Sequence, residues 1–149
     1  MPDELLRPTI GAGVDMKVRP WRLMSQTYVA FFGGVIASTV IAFLNARRLG
    51  VDAAKRRLVL LTGAAGLVGV IAVFALLNAE ADVTSGFRVA VRVVAVLCCL
   101  VQLRIQRPMD RAFQLRGTDY GSLWGPGLAV TIGGAVAEAF ILVIVARAL

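Results

Sequence analysis

Two ionisable side chains interrupt otherwise apolar stretches of this sequence. Glu138 lies within GLAVTIGGAVAEAFILVIVA, and Arg92 lies within FRVAVRVVAVLCCL. A carboxyl group held among apolar side chains is suited to carrying a proton or binding a cation. The same group facing lipid would cost ~2.5–3.5 kcal/mol on insertion scales, so Glu138 is expected to face the bundle, a cavity or another chain. Arg92 is placed at a comparable depth, within about one helical turn. An ion pair between neighbouring antiparallel helices would hide both charges from lipid, whereas snorkelling to the interface is the simpler account of the arginine. For Glu138 the plainer alternative is a structural polar contact.

Other chemistry finds little support. The chain has no histidine, which removes the usual haem ligand, the commonest zinc ligand and the commonest general base. Cys98 and Cys99 are adjacent within an apolar run and fit no CxxC pattern, so they read as small apolar side chains. Asp110 and Asp119 share a connecting segment, but no acidic cluster or nucleophile–base pair supports hydrolysis at a lipid headgroup. Catalytic, cofactor and metal sites are therefore not expected.

The elements that must position Glu138 and Arg92 are helices. The chain is 58% hydrophobic with a mean hydropathy of +0.79, too apolar for a soluble domain of this length. About 20 apolar residues cross a ~30 Å hydrocarbon core as a helix, and four such stretches occur, over roughly residues 26–45, 58–77, 87–103 and 122–146. The expected fold is an all-α integral membrane bundle of four transmembrane helices with short loops, over residues 25–149. Residues 1–24 read as a flexible tail and interfacial lead-in, with Trp21 and Tyr28 at headgroup level. Pro108 is expected to end the third helix, leaving a short amphipathic piece from Met109 to Leu115 on the membrane surface, with Phe113 dipping in.

Small residues recur at spacings that let helix backbones approach: Gly33 and Gly34 in the first stretch, Ala65 and Gly69 in the second, and Gly133, Gly134 and Ala137 in the fourth. Ser38 and Thr39 can bond back to helix carbonyls. Asn45 is expected near the interface.

The formal charge is +7. The basic residues gather at the ends of apolar stretches, which indicates topology and anionic lipid headgroups rather than nucleic acid. The densest group, Arg47, Arg48, Lys55, Arg56 and Arg57, is the expected headgroup or partner contact. With four crossings, the basic first and third loops would be cytoplasmic and both termini outside, by a modest margin because the tail is itself basic.

The segment FFGGVIASTVIAFLNARRLG resembles a group of small bacterial membrane proteins in which a Gly-containing first span ends in Asn, basic residues and Leu-Gly. That resemblance implies a bacterial four-helix protein of the cytoplasmic (inner) membrane, and no activity. In architecture the chain is also similar to small multidrug-resistance antiporters, whose glutamate lies in the first helix rather than the fourth. The leading functional expectation is a non-catalytic membrane subunit or accessory protein packing against a membrane-protein partner or forming a homo-oligomer. The second is a small proton- or cation-coupled transporter, a homodimer, using Glu138.

Overall fold

The structure, a computed structural model, describes residues 18–78, 84–115, 117 and 119–148. Most of the expected tail, the loop acids Glu80 and Asp82, and Arg116 lie outside those residues. Four helices make up the fold: α1 (Ser25–Arg48), α2 (Ala53–Asn78), α3 (Thr84–Gln114) and α4 (Trp124–Ala148). Each is long and apolar enough to cross a membrane, and the chain is a multi-pass membrane protein. The all-α bundle expected from the hydropathy pattern is the fold observed.

Its central element does not run straight. A straight helix of 24 residues would be about 36 Å long. Yet residues just before α1 touch its last turns. The Trp21 N–H donates to Asn45 Oδ1 at 2.7 Å. Arg48 lies 3.8 Å above the centroid of the Trp21 ring and donates to the Arg19 carbonyl at 3.1 Å. These contacts require α1 to reverse, and it does so at Gly34, whose φ of 79° and ψ of −165° are non-helical. That region is essentially open to glycine alone. The first arm, residues 25–33, is about 13 Å long and the second, residues 35–48, about 21 Å. Neither crosses a ~30 Å core. α1 is therefore a re-entrant hairpin, while α2, α3 and α4 are continuous rods.

The arms are clasped by apolar packing. Leu23 and Ala30 of the entering limb share a cluster with Ala46, Leu49, Val51, Cys99 and Leu103. Val29 shares another with Trp21, Ala37 and Ile41. α1 packs against each of the other helices, and its apolar window is 61% buried against 11% for α4. The hairpin is thus the core around which the three rods stand. Trp21, expected at headgroup level, is instead a core residue at 2% exposure.

Connections follow local rules. Gly50 (φ 68°) closes α1, with Val51 N–H on the Ala46 carbonyl and Gly50 N–H on that of Arg47, a Schellman arrangement. Asp52 Oδ2 accepts from Ala54 N–H and starts α2. Pro108 does not stop α3, which continues to Gln114. A proline removes one ladder bond. Beyond it, Met109 and Phe113 pack on the Leu23–Leu103 cluster, and Asp110 accepts from Tyr120 Oη at 2.8 Å. The expected surface piece is therefore the last turns of a core helix.

The reversal places Arg19 at the same end as the first and third loops, and Arg147 at the other. Segments flanking the bundle thus leave from opposite ends, whereas four straight crossings would return them to one.

The glycines divide sharply. A methyl group on Gly34 would meet the Glu138 carboxyl, with Cδ at 2.7 Å, whereas one on Gly133 would meet nothing within 4 Å. Gly34→Ala is expected to destabilise by roughly 2 kcal/mol or more, from backbone strain plus displacement of Glu138, lowering Tm by about 5 °C or more. Gly133→Ala is expected to leave Tm within about 1 °C of the parent. Thermal unfolding in one detergent compares the two; equal effects would contradict the hairpin geometry.

Candidate functional site

Breaking a helix inside a membrane leaves N–H groups at the start of the second arm and carbonyls at the end of the first without helical partners. In this chain both sets lie side by side at the hairpin tip. α4 supplies Glu138 to one and α3 supplies Arg92 to the other. Glu138 Oε2 accepts from the Val35 N–H at 2.9 Å, and Glu138 is buried at 6% exposure. Arg92 Nη1 donates to the Phe32 carbonyl at 3.1 Å. A helix N-terminus carries partial positive charge and a C-terminus partial negative charge. The carboxylate therefore sits on the positive end of the second arm, and the guanidinium on the negative end of the first.

The ion pair offered as one account of these two charges is not what the structure shows. Glu138 and Arg92 do lie at one depth and do share one neighbour, but that neighbour is the broken backbone of α1. The ion pair is replaced by two separate helix-end contacts.

α4 delivers Glu138 because its inner face carries almost no side-chain volume. A methyl group on Gly134 would lie 2.7 Å from Ala37 N, and one on Gly33 would lie 2.9 Å from Thr131 Cα. α4 thus runs directly against the hairpin. On the α2 side Gly63 packs on Thr39 and Gly66 on Val35 and Cys98. A methyl group on Gly69 would make ordinary contact with Val94 at 3.5 Å, and Ala137 is half-buried. Ala65, expected at a helix contact, is exposed, as is Gly133. The closest packing positions of α2 are Gly63 and Gly66.

A buried polar seam leads away from the tip, and most of it was not anticipated. Thr39 Oγ1 and Ser38 Oγ both donate to the Val35 carbonyl, as expected of back-bonding hydroxyls. Gln102 Nε2 donates to Thr39 Oγ1 at 3.0 Å and to the Val59 carbonyl at 3.2 Å. Gln106 Nε2 donates to the Gln102 carbonyl, and Asn45 Nδ2 donates to Gln106 Oε1 at 3.1 Å. Asn45, expected at the interface, is fully buried. The available signal was the spacing of Gln102 and Gln106, four residues apart and so on one helical face.

The basic group at the α1–α2 turn splits by role. Arg47, Lys55 and Arg57 are exposed and Arg56 half-buried. Arg48 is engaged by Trp21 and Arg19. At the same end, Tyr120 has its phenol pushed upward, by burial first and also by donation to Asp110.

Comparison with protein families, curated proteins and solved structures finds no match. The geometry itself carries the functional reading.

Glu138→Leu would leave the Val35 N–H unsatisfied in the interior, at about 1–3 kcal/mol. Glu138→Gln keeps an acceptor but loses the charge assistance, about 1 kcal/mol. Arg92→Leu is expected to cost less than Glu138→Leu, since Arg92 is half-exposed. Denaturation midpoints in detergent should rank Leu at 138 lowest; a Glu138→Leu variant as stable as the parent would exclude this contact.

Proposed function

We propose that this chain is a small proton- or cation-coupled membrane transporter in which Glu138 is the coupling group. The observation that carries the reading is the bond from Val35 N–H to Glu138 at the reversal of α1. Non-helical backbone at membrane depth is tolerated where it is buried in protein or lines a polar cavity, and broken helices are a recurrent way of building ion and substrate sites near the midplane. An ionisable residue at that depth points to function. Protonating Glu138 removes its charge from the positive end of the second arm, which weakens the contact holding the tip. Proton occupancy and hairpin position are thereby coupled.

The charge distribution supports an orientation. Arg19, Arg22, Arg47, Arg48, Lys55, Arg56, Arg57, Arg104, Arg107 and Arg111 belong to one end of the bundle, and Arg88 and Arg147 to the other. With α1 folded back, the margin is far wider than four straight crossings would give. By the positive-inside rule the first end is cytoplasmic. In spheroplasts of a bacterial host, with Cys98 and Cys99 replaced by Ala, a membrane-impermeant maleimide is expected to label Arg147→Cys and to spare Arg22→Cys and Lys55→Cys. The reverse pattern would invert the orientation. Opposite labelling of Arg22→Cys and Lys55→Cys would mean that the hairpin crosses.

A second reading is an accessory subunit packed against another membrane protein or a second copy. Ala65 and Gly133 are exposed, and a methyl group on Gly133 would meet nothing within 4 Å among the described residues, which would suit a partner helix. Infrared difference spectra between about pH 5 and about pH 9 separate the readings. Under the transport reading, a protonated-carboxyl band titrates reversibly and is absent from folded Glu138→Gln. A carboxylate ionised throughout would overturn that reading and leave Glu138 as a structural tie.

A further inference from the structure

The hairpin encloses polar atoms that no group among the described residues satisfies. Gln26 has no exposed surface, and neither its Oε1 nor its Nε2 has a hydrogen-bond partner. Gln102 Oε1 is buried and unpartnered too, and buried Thr27 Oγ1 has the Cys99 thiol, a weak donor, beside it. Leaving an amide or hydroxyl unpaired in an apolar interior costs about 1–3 kcal/mol by mutational measure, so one unpaired glutamine inside a membrane hairpin needs an explanation.

Position supplies it. Leu23, just before the first arm, and Ala30 on it share a cluster with Cys99 and Leu103 of α3 and with Ala46, Leu49 and Val51. Val29 instead shares a cluster with Leu123 and Val130, on the α4 side. At 100° per residue Gln26 falls between these two directions, which aims its amide at the second arm. Thr27 stands beside Cys99, one turn from Gln102. The orphaned atoms thus lie where the first arm, the second arm and α3 meet. They flank a run of bonded polar groups: Trp21 N–H to Asn45, Asn45 to Gln106, Gln106 to the Gln102 carbonyl, Gln102 to Thr39, and Thr39 to the Val35 carbonyl. The N–H of the same Val35 meets Glu138, and because a peptide N–H does not relay protons, water has to span that last gap.

We infer that this seam holds ordered water at Gln26, Thr27 and Gln102, and that protons reach Glu138 through it from the basic end of the bundle. The inference rests on Glu138 being the coupling group and names the coupling ion as a proton. Buried water makes about three hydrogen bonds to polar groups that otherwise lack partners, and these side chains offer that. A divalent cation is usually held by several oxygen ligands with more than one carboxylate among them. The seam contributes only amides, hydroxyls and backbone before Glu138. The apolar runs around Glu138 carry two other charges, Arg92 and, about one turn nearer the start of α3, Arg88. α2 has none between Arg57 and Asn78, and α1 none between Arg22 and Arg47. The step is one proton passed along water to the Glu138 carboxylate, with no bond to carbon made or broken.

The test uses the full chain in lipid nanodiscs and follows the Glu138 carboxyl band after a pH jump. Gln26→Met replaces the amide with an apolar side chain of similar length. The band is expected to respond at least about tenfold more slowly than in the parent, with its final amplitude unchanged; the isosteric Thr27→Val is a second variant should the first fail to fold. An unchanged rate in both variants overturns the proposal. A Gln26→Met variant that unfolds at higher temperature than the parent, at unchanged rate, identifies the amide as a dry orphan, because removing an unpaired polar group stabilises. Absence of any titrating band in the parent defeats the coupling role of Glu138 itself. A band that titrates while both variants keep the parental rate defeats only the route.

Discussion

Hydrocarbon offers no hydrogen bonds, so a helix that reverses within a membrane must have its broken ends satisfied by the protein. α1 reverses at Gly34, and the rest of the bundle answers to that reversal. The start of one arm and the end of the other meet at a single depth and carry opposite partial charges. Glu138 and Arg92 each complement one of them. Without the carboxylate, the Val35 N–H faces an apolar interior. Without Gly34, the backbone cannot take its φ of 79°, and no carboxylate could approach. The bare inner face of α4 at Gly134 serves the same end, bringing Glu138 into reach.

Folding α1 back also explains the polar groups at its other end. A spanning helix would have placed Asn45 at one interface and Gln26 at the other. In the hairpin both lie in the same half of the bundle, and both are buried. Asn45 then ties the lead-in at Trp21 to α3 through Gln106. The same geometry gathers Arg19 and Arg22 with the two basic loops. A hairpin that enters and returns at one face never carries those arginines across the bilayer, whereas a spanning first helix would have to translocate the segment before it.

The sequence made the helices legible because length and hydropathy are what membrane insertion reads, and it made Glu138 legible because a lone carboxylate cannot face lipid. It could not separate a span from a hairpin. Residues 26–45 meet the requirement for about 20 apolar residues whether they run straight or fold at the middle. The distinguishing clue was the Gly33–Gly34 pair followed by Ser38, Thr39 and Asn45, more polar content than a lipid-facing span carries. Facing directions on α2 were equally hidden. One side of that helix meets lipid and the other meets apolar core, so the pattern has no polar face to mark the outside. Ala65 and Gly69 looked as suitable for packing as Gly63 and Gly66, which are the residues in close contact. Pro108 misled because proline forbids one bond, whereas several tertiary contacts hold the turn beyond it.

Two opposite charges at one depth could have neutralised each other directly. Here each is spent on the backbone instead, and the difference has a physical consequence. In a direct ion pair, protonating the acid would leave the arginine unpaired in a low-dielectric interior, which strongly opposes the change. At the hairpin tip, Arg92 keeps its carbonyl partner at Phe32 and its own partial exposure whatever the state of Glu138. What changes with the proton is the contact between α4 and the second arm alone. Under the transport reading, separating the charges across the break lets one proton weaken the Glu138 contact with α1 without stranding the opposite charge.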